Sequence, residues 1–181
     1  MTKASRVSRR DLLALGPGLS ALLAGCAMGQ GGWRLGDRLP DIAMQDSAGR
    51  ATRISDFDDR AVLFYIGARW CVHCRADMPA LAQVWRDLHA DRRIVFAALA
   101  YYEDGAVTRG WINRDIGIGL PVYDQGARSP RVQLANGGHT SFAVPAVYIL
   151  APGNIIHYTH VGSGKSAQYR PKLLEAAALV A

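Results

Sequence analysis

Ala61-Val62-Leu63-Phe64-Tyr65-Ile66-Gly67-Ala68-Arg69-Trp70-Cys71-Val72-His73-Cys74 is the stretch that decides the fold. Its first six residues form an unbroken apolar run with β-branched and aromatic side chains. Such a run fits a strand buried on both faces, as in a parallel sheet. From about Cys71 to His89 the period changes: Leu81, Val84, Trp85 and Leu88 recur at helical spacing, and Pro79 should kink that helix. Ile94-Val95-Phe96-Ala97-Ala98-Leu99 is a second run of the first kind. Strand, helix, strand in this order is a βαβ unit, which is right-handed almost always.

Outward from this unit the pattern continues. Ile42 to Gln45 and Ala51 to Ile54 flank Ser47-Ala48-Gly49-Arg50, a polar break with glycine that reads as a small hairpin. Asp104 could cap a helix to about Arg114. Leu120 to Tyr123 is at best a short strand, and Ser129 to Leu134 reads as a short helix. Ala146 to Leu150 and Ile155 to Thr159 are strands joined by the turn Ala151-Pro152-Gly153-Asn154. Ser166 to Val180 closes the chain as an amphipathic helix with Leu173, Leu174, Ala177 and Ala178 on one face. The expected fold class is α/β, a central mixed sheet flanked by helices with an added N-terminal hairpin.

The pair Cys71 and Cys74 stands where the buried strand hands over to the helix. Residues i and i+3 share a helix face, so the two sulfurs can reach disulfide distance with little backbone movement. Cys71, in the first turn, meets unpaired backbone N–H groups and the positive end of the helix dipole. Both favour thiolate, the nucleophilic form. A C-x-x-C beside a βαβ pattern therefore reads as a redox site. A structural zinc site would need two further ligands, and the sequence holds no second cysteine pair. No cofactor is expected.

The third cysteine, Cys26, has a different setting. A basic start, Met1 to Arg10, precedes a mostly apolar run from Leu12 to Ala24. That run is too short for a bilayer, which needs roughly 20 residues, and has the length of a signal-peptide core. Leu23-Ala24-Gly25-Cys26 resembles the bacterial lipobox, which implies cleavage before Cys26 and lipid on it. Ser8-Arg9-Arg10-Asp11-Leu12-Leu13 resembles the twin-arginine export motif. Ala27 after the cysteine leans toward the outer membrane, since an acid there would retain the protein at the inner one. Residues 1–25 are thus expected as a signal peptide, 26–38 as a Gly-rich tether and 39–181 as the folded domain.

The formal charge of +6 on 181 residues does not indicate nucleic acid. Residues 1–25 carry half of it, and the remainder shows no dense Lys/Arg cluster with interleaved aromatics. Half the residues are hydrophobic, enough for one core without disulfide staples.

From Leu35-Gly36-Asp37 to about Gly162 the chain resembles the TlpA/ResA-like membrane-anchored thioredoxin family. The landmarks are Pro40-Asp41, Trp70 to Cys74, Asp77-Met78-Pro79 and Val144-Pro145. The resemblance implies a thioredoxin fold with an added hairpin, and a role for each site position. Cys71 matches the attacking cysteine and Cys74 the resolving one. Asp77 matches an acid, usually Glu, that could take the Cys74 proton. Pro145 matches a cis-proline that brings the Val144 backbone beside Cys71, where it could pair with an extended substrate peptide. Trp70 would shield the edge of the site. His73 stands where many members carry proline and resembles the histidine of strongly oxidising periplasmic enzymes, so it should stabilise the Cys71 thiolate. The implied activity is thiol–disulfide exchange on exported proteins, of the TlpA-like, cytochrome c maturation type. If the protein is a reductase, it needs a membrane electron donor. Two rivals stand beside this reading. Two thiolates with His73, and His139 or His160 as a distal ligand, could deliver copper. A thiol peroxidase would share the fold, although Ala68 stands where such enzymes commonly have Thr.

Overall fold

The structure, a computed structural model, describes residues 33–126 and 131–181. Cys26, the signal segment and most of the expected tether lie outside the described residues.

The Ala61–Gly67 run is strand β3, buried at every position. Alternate residues go to opposite sides, as the period of two requires. Leu63 and Tyr65 join one apolar cluster, while Val62, Phe64 and Ile66 join the other. Helix α1, Val72–Leu88, follows; it is one uninterrupted element through Pro79, whose ring lies on the exposed side. Its buried face is Cys74, Asp77, Met78, Leu81, Ala82, Val84 and Leu88. Strand β4, Ile94–Ala100, returns parallel to β3 in the register Ala61↔Ile94 to Gly67↔Ala100.

The remaining elements build outward from this unit. The hairpin β1, Ala43–Gln45, and β2, Ala51–Arg53, is antiparallel. Asp104 caps the short helix α2, Gly105–Gly110, by accepting from Ala106 N–H, and a π-helical turn over Trp111–Asp115 continues it. Strand β5, Val122–Tyr123, adds parallel to β4. After it come β6, Val132–Gln133, and β7, His139–Thr140; then β8, Ala146–Ala151, β9, Ile155–Val161, and the last helix α3, Tyr169–Ala177. The sheet order is β5-β4-β3-β8-β9, with β8 antiparallel to β3 and β9 antiparallel to β8. This is the expected thioredoxin-fold sheet, mixed and flanked by helices.

One face of the sheet packs on α1 and α3 through Met78, Leu81, Leu173 and Ala177. The other is covered by Met44 of the hairpin and its neighbours Ile42 and Ile54, with Leu39, Trp33 and Phe142. Fully burying a side chain the size of Leu or Ile is worth about 1.5–3 kcal/mol, so both layers contribute heavily.

Three expectations change. Residues 132–134 are not helical: Val132 and Gln133 pair with Thr140 and His139. Asn136-Gly137, with Gly137 at φ 83°, forms the turn, and the Gln125 side chain bonds both backbone groups of Gln133. The inner face of α3 is Tyr169, Leu173, Ala176 and Ala177, while Ala178 is exposed and Leu174 only half-buried. Residues 33–38, expected as tether, belong to the domain. The Trp33 ring lies 5.6 Å from Phe142 and 6.1 Å from Tyr148. Gly36 N–H donates to Ile156 O at 2.9 Å, Ile156 N–H to Asp37 O at 2.8 Å, and Leu39 N–H to Asn154 O at 2.9 Å.

Candidate active site

Strand β3 ends at Gly67, and a tight turn carries the chain into α1. Cys71 N–H donates to Ala68 O at 3.2 Å, and Tyr101 N–H donates to Gly67 O at 2.9 Å. Arg69 N–H donates to Glu103 Oε1 at 2.7 Å, and Glu103 also accepts from the buried Thr108 hydroxyl. The turn is therefore held from the β4–α2 side.

Cys71 is the N-cap of α1, with φ −74° and ψ 115°. Its sulfur accepts a hydrogen bond from Cys74 N–H at 3.1 Å. A sulfur thus takes the place that Ser or Asp fills in an ordinary cap. After reduction, a thiolate at this position would meet the same N–H and the positive end of the helix dipole, and both favour it. The two cysteines are joined as a disulfide with Cα atoms 5.1 Å apart. Cys74 is fully buried, and Cys71 keeps 5% of its surface.

The Ile66↔Ala146 pairing of β3 with β8 lays the chain before β8 against this turn. The Val144–Pro145 peptide is cis, and Val144 O lies 3.5 Å from Cys71 Sγ. Trp70 before the pair and Val72 within it have more than half their surface exposed. His73 is exposed as well; its Nδ1 lies 3.2 Å from Ser163 Oγ, on the loop after β9, and His160 Nε2 lies 3.4 Å from Ser163 O.

Asp77 is placed differently from the rest. It sits one turn beyond Cys74 on the inner face of α1 and is 2% exposed. The Tyr169 hydroxyl donates to Asp77 Oδ2 at 2.5 Å. Burial, and then the hydrogen bond to Asp77, push the Tyr169 hydroxyl far above the usual tyrosine range. Tyr65 is also pushed far up, by burial first and the Asp77 charge second. Its buried hydroxyl has no hydrogen-bond partner among the described residues.

The structure thus gathers Cys71, Cys74, Val144 and Pro145 at the head of α1, puts Trp70 and His73 on the outside, and seals Asp77 behind Cys74. Sequence reasoning missed Tyr169, Tyr65 and Ser163. Tyr169 carried a usable signal: with Leu173 and Ala176 it follows helical spacing on the inward face, and a buried tyrosine hydroxyl usually finds a partner. The other histidines lie apart. His89 stacks on Trp85 with centroids 4.2 Å apart, His157 Nε2 is 3.1 Å from Glu175, and His139 is exposed on β7. Among the described residues, no group of three or more His, Cys, Asp or Glu side chains could hold a metal ion.

A thioredoxin fold with a C-x-x-C disulfide at the head of its first long helix defines a thiol–disulfide oxidoreductase. The chain belongs to the AhpC/TSA family, whose model matches residues 35–159. It is 23% identical to the thioredoxin-like protein YneN of Bacillus subtilis (strain 168), over 86% of this chain and 95% of that one. Among solved structures it resembles a thioredoxin-family thiol:disulfide interchange protein of Chlorobium tepidum TLS. That match has a TM-score of 0.60 and 18% identity, over 81% of this chain and 99% of the other. It also resembles the thioredoxin domain of a thiol-disulfide oxidoreductase of Bacteroides vulgatus, with a TM-score of 0.60 and 14% identity over 79% and 97% of the two chains.

Proposed function

We propose that the protein is a TlpA-like disulfide reductase acting on exported proteins, of the type that serves cytochrome c maturation. The observation that carries this is the Cys71 sulfur at the N-cap of α1, bonded by Cys74 N–H and 3.5 Å from the Val144 carbonyl. A nucleophile favoured as thiolate thus lies beside a backbone group that an extended peptide could pair with. The Cys71 thiolate attacks one sulfur of a client disulfide, and the other client sulfur leaves as thiolate. Asp77 takes the proton of Cys74, whose thiolate attacks Cys71 Sγ and releases the second client thiolate. Cys71 and Cys74 end oxidised, and a membrane donor would return two electrons. Trp70 shields the edge of the site. His73 favours the Cys71 thiolate and so shifts the couple toward the oxidising side.

The reading places the domain on the periplasmic side, tied to a membrane by lipid on Cys26 after twin-arginine export, with the outer membrane preferred. Its support is the motif series in residues 1–27. Among the described residues no helix is long and apolar enough to cross a membrane.

The deciding experiment is client-disulfide turnover together with the reduction potential of the couple. Cys71→Ser should lose turnover entirely; retained turnover would refute the reading. A potential near thioredoxin's, about −270 mV, fits a reductase, and one near −120 mV makes the protein an oxidant instead. Loss of membrane association in Cys26→Ser tests the anchor.

Peroxide reduction is a second reading, favoured by the match to the AhpC/TSA family. Ala68, fully buried, offers no hydroxyl near the cysteine. Peroxide consumption by Cys74→Ser would support this reading, and its absence would remove it.

A further inference from the structure

The group behind the disulfide is a buried acid bonded to a phenol. Asp77 is nearly sealed from solvent, and its hydrogen-bond donor is Tyr169, the first residue of α3, itself fully buried. Burial first, and the Asp77 charge second, oppose ionisation of the Tyr65 hydroxyl on β3 and of the Tyr158 hydroxyl on β9. Lys172 of α3 bears on Tyr158. Within α1, Cys74 stands one turn before Asp77.

A carboxylate cut off from water keeps its charge only through hydrogen bonds or opposite charge. An O–H donor at this separation is of the strong, charge-assisted kind. We propose that Tyr169 is a positioning residue for thiol–disulfide exchange, holding the Asp77 carboxylate in place, one turn from Cys74, to accept that thiol's proton. This rests on the reading of Asp77 given above.

The resolving step then balances as follows. The Cys74 S–H bond breaks and its proton passes to Asp77. The Cys74 thiolate attacks Cys71 Sγ, and the Cys71–Cys74 bond forms as the bond from Cys71 to the client sulfur breaks. The electron pair of the broken bond leaves on the client thiolate, so the client is reduced and the pair oxidised. Asp77 then passes its proton on to the client thiolate or to water. Tyr169 keeps its own proton throughout, because burial and the neighbouring charge both oppose its loss.

The reduced full-length chain mixed with Ellman's reagent in a stopped-flow instrument separates the two sulfurs. The first thionitrobenzoate released reports attack by Cys71, and the second reports its displacement by Cys74. In Tyr169→Phe the first phase should keep its rate. The second should slow about tenfold at neutral pH, the scale of one hydrogen bond to a charged group. Fluorotyrosine at position 169, which keeps the hydroxyl, should restore the second phase. Tyr158→Phe controls for packing: this ring meets Tyr169 edge-on at 6.4 Å, and both phases should stay unchanged. An unaltered second phase in Tyr169→Phe, or equal slowing in the two Phe variants, overturns the proposal. If Asp77→Asn slows the second phase and Tyr169→Phe does not, only the role of Tyr169 falls. If Asp77→Asn is also unaltered, the reading of Asp77 falls with it.

Discussion

Tyr169 and Tyr65 make opposite demands on the folded state. Tyr169 donates a hydrogen bond, while the Tyr65 hydroxyl is buried with no partner among the described residues. An unsatisfied buried donor costs about 1–3 kcal/mol. Tyr65→Phe should therefore stabilise the protein by about 1 kcal/mol, and a higher urea midpoint with an unchanged slope would show it. Tyr169→Phe should destabilise, because it strips a buried carboxylate of its donor. Both phenols also make stability depend on alkaline pH. Their folded values lie above the ordinary 10.0, so their contribution is complete below about pH 10 and falls as the unfolded chain ionises above it. Urea midpoints from neutral pH to about pH 11 should fall less steeply in either Phe variant than in wild type. At this scale the sequence spoke unevenly. Cys71 and Cys74 were legible because i and i+3 on a helix is a local rule. The Asp77–Tyr169 bond spans 92 positions, and no local pattern encodes such a distance.

Elements were legible where their period was long enough to count. The runs at β3, β4, β8 and the length of α1 stood out because burial on one or both faces repeats over six residues or more. The strands β6 and β7 have two residues each, too few for alternation to show. Only Asn136-Gly137 marked the turn between them. On α3 the helical period was visible, but its phase was off by one position. Leu173 is fully buried there and Ala178 exposed. Leu173→Ala should cost about 2–4 kcal/mol, and Ala178→Ser should lie within about 0.5 kcal/mol of wild type, both measurable by chemical denaturation. Gly105 opens α2 where an added Cβ would strike the Asp124 carboxyl group. Gly105→Ala should therefore cost about 1–3 kcal/mol, although alanine is the better helix former.

For the whole molecule, the domain begins before the boundary that composition marks. Four glycines between Ala27 and Gly36 read as a linker, yet Trp33 packs on Phe142 and Tyr148, and the backbone of residues 36–39 bonds to that of 154–156. Composition reports what a segment can do when free; it does not report what a neighbouring surface offers it. A chain starting at Leu39 should therefore be less stable than one starting at Trp33, by about 2–4 kcal/mol on the scale of a truncated aromatic, and a lower thermal midpoint would show it.

The hydrogen bonds of residues 36–39 have a partner at the far side of the sheet. Gln45 exchanges two backbone bonds with Asp124, at 2.7 and 3.0 Å, just past β5, while the earlier residues bond to the start of β9. Strands β5 and β9 are the two borders of the sheet. The N-terminal addition therefore occupies main-chain groups on both borders, where an open strand would invite another chain to join and seed fibres. The addition is in this sense a guard against self-association, and a chain lacking residues 33–53 should bind amyloid dyes on standing where the full chain does not.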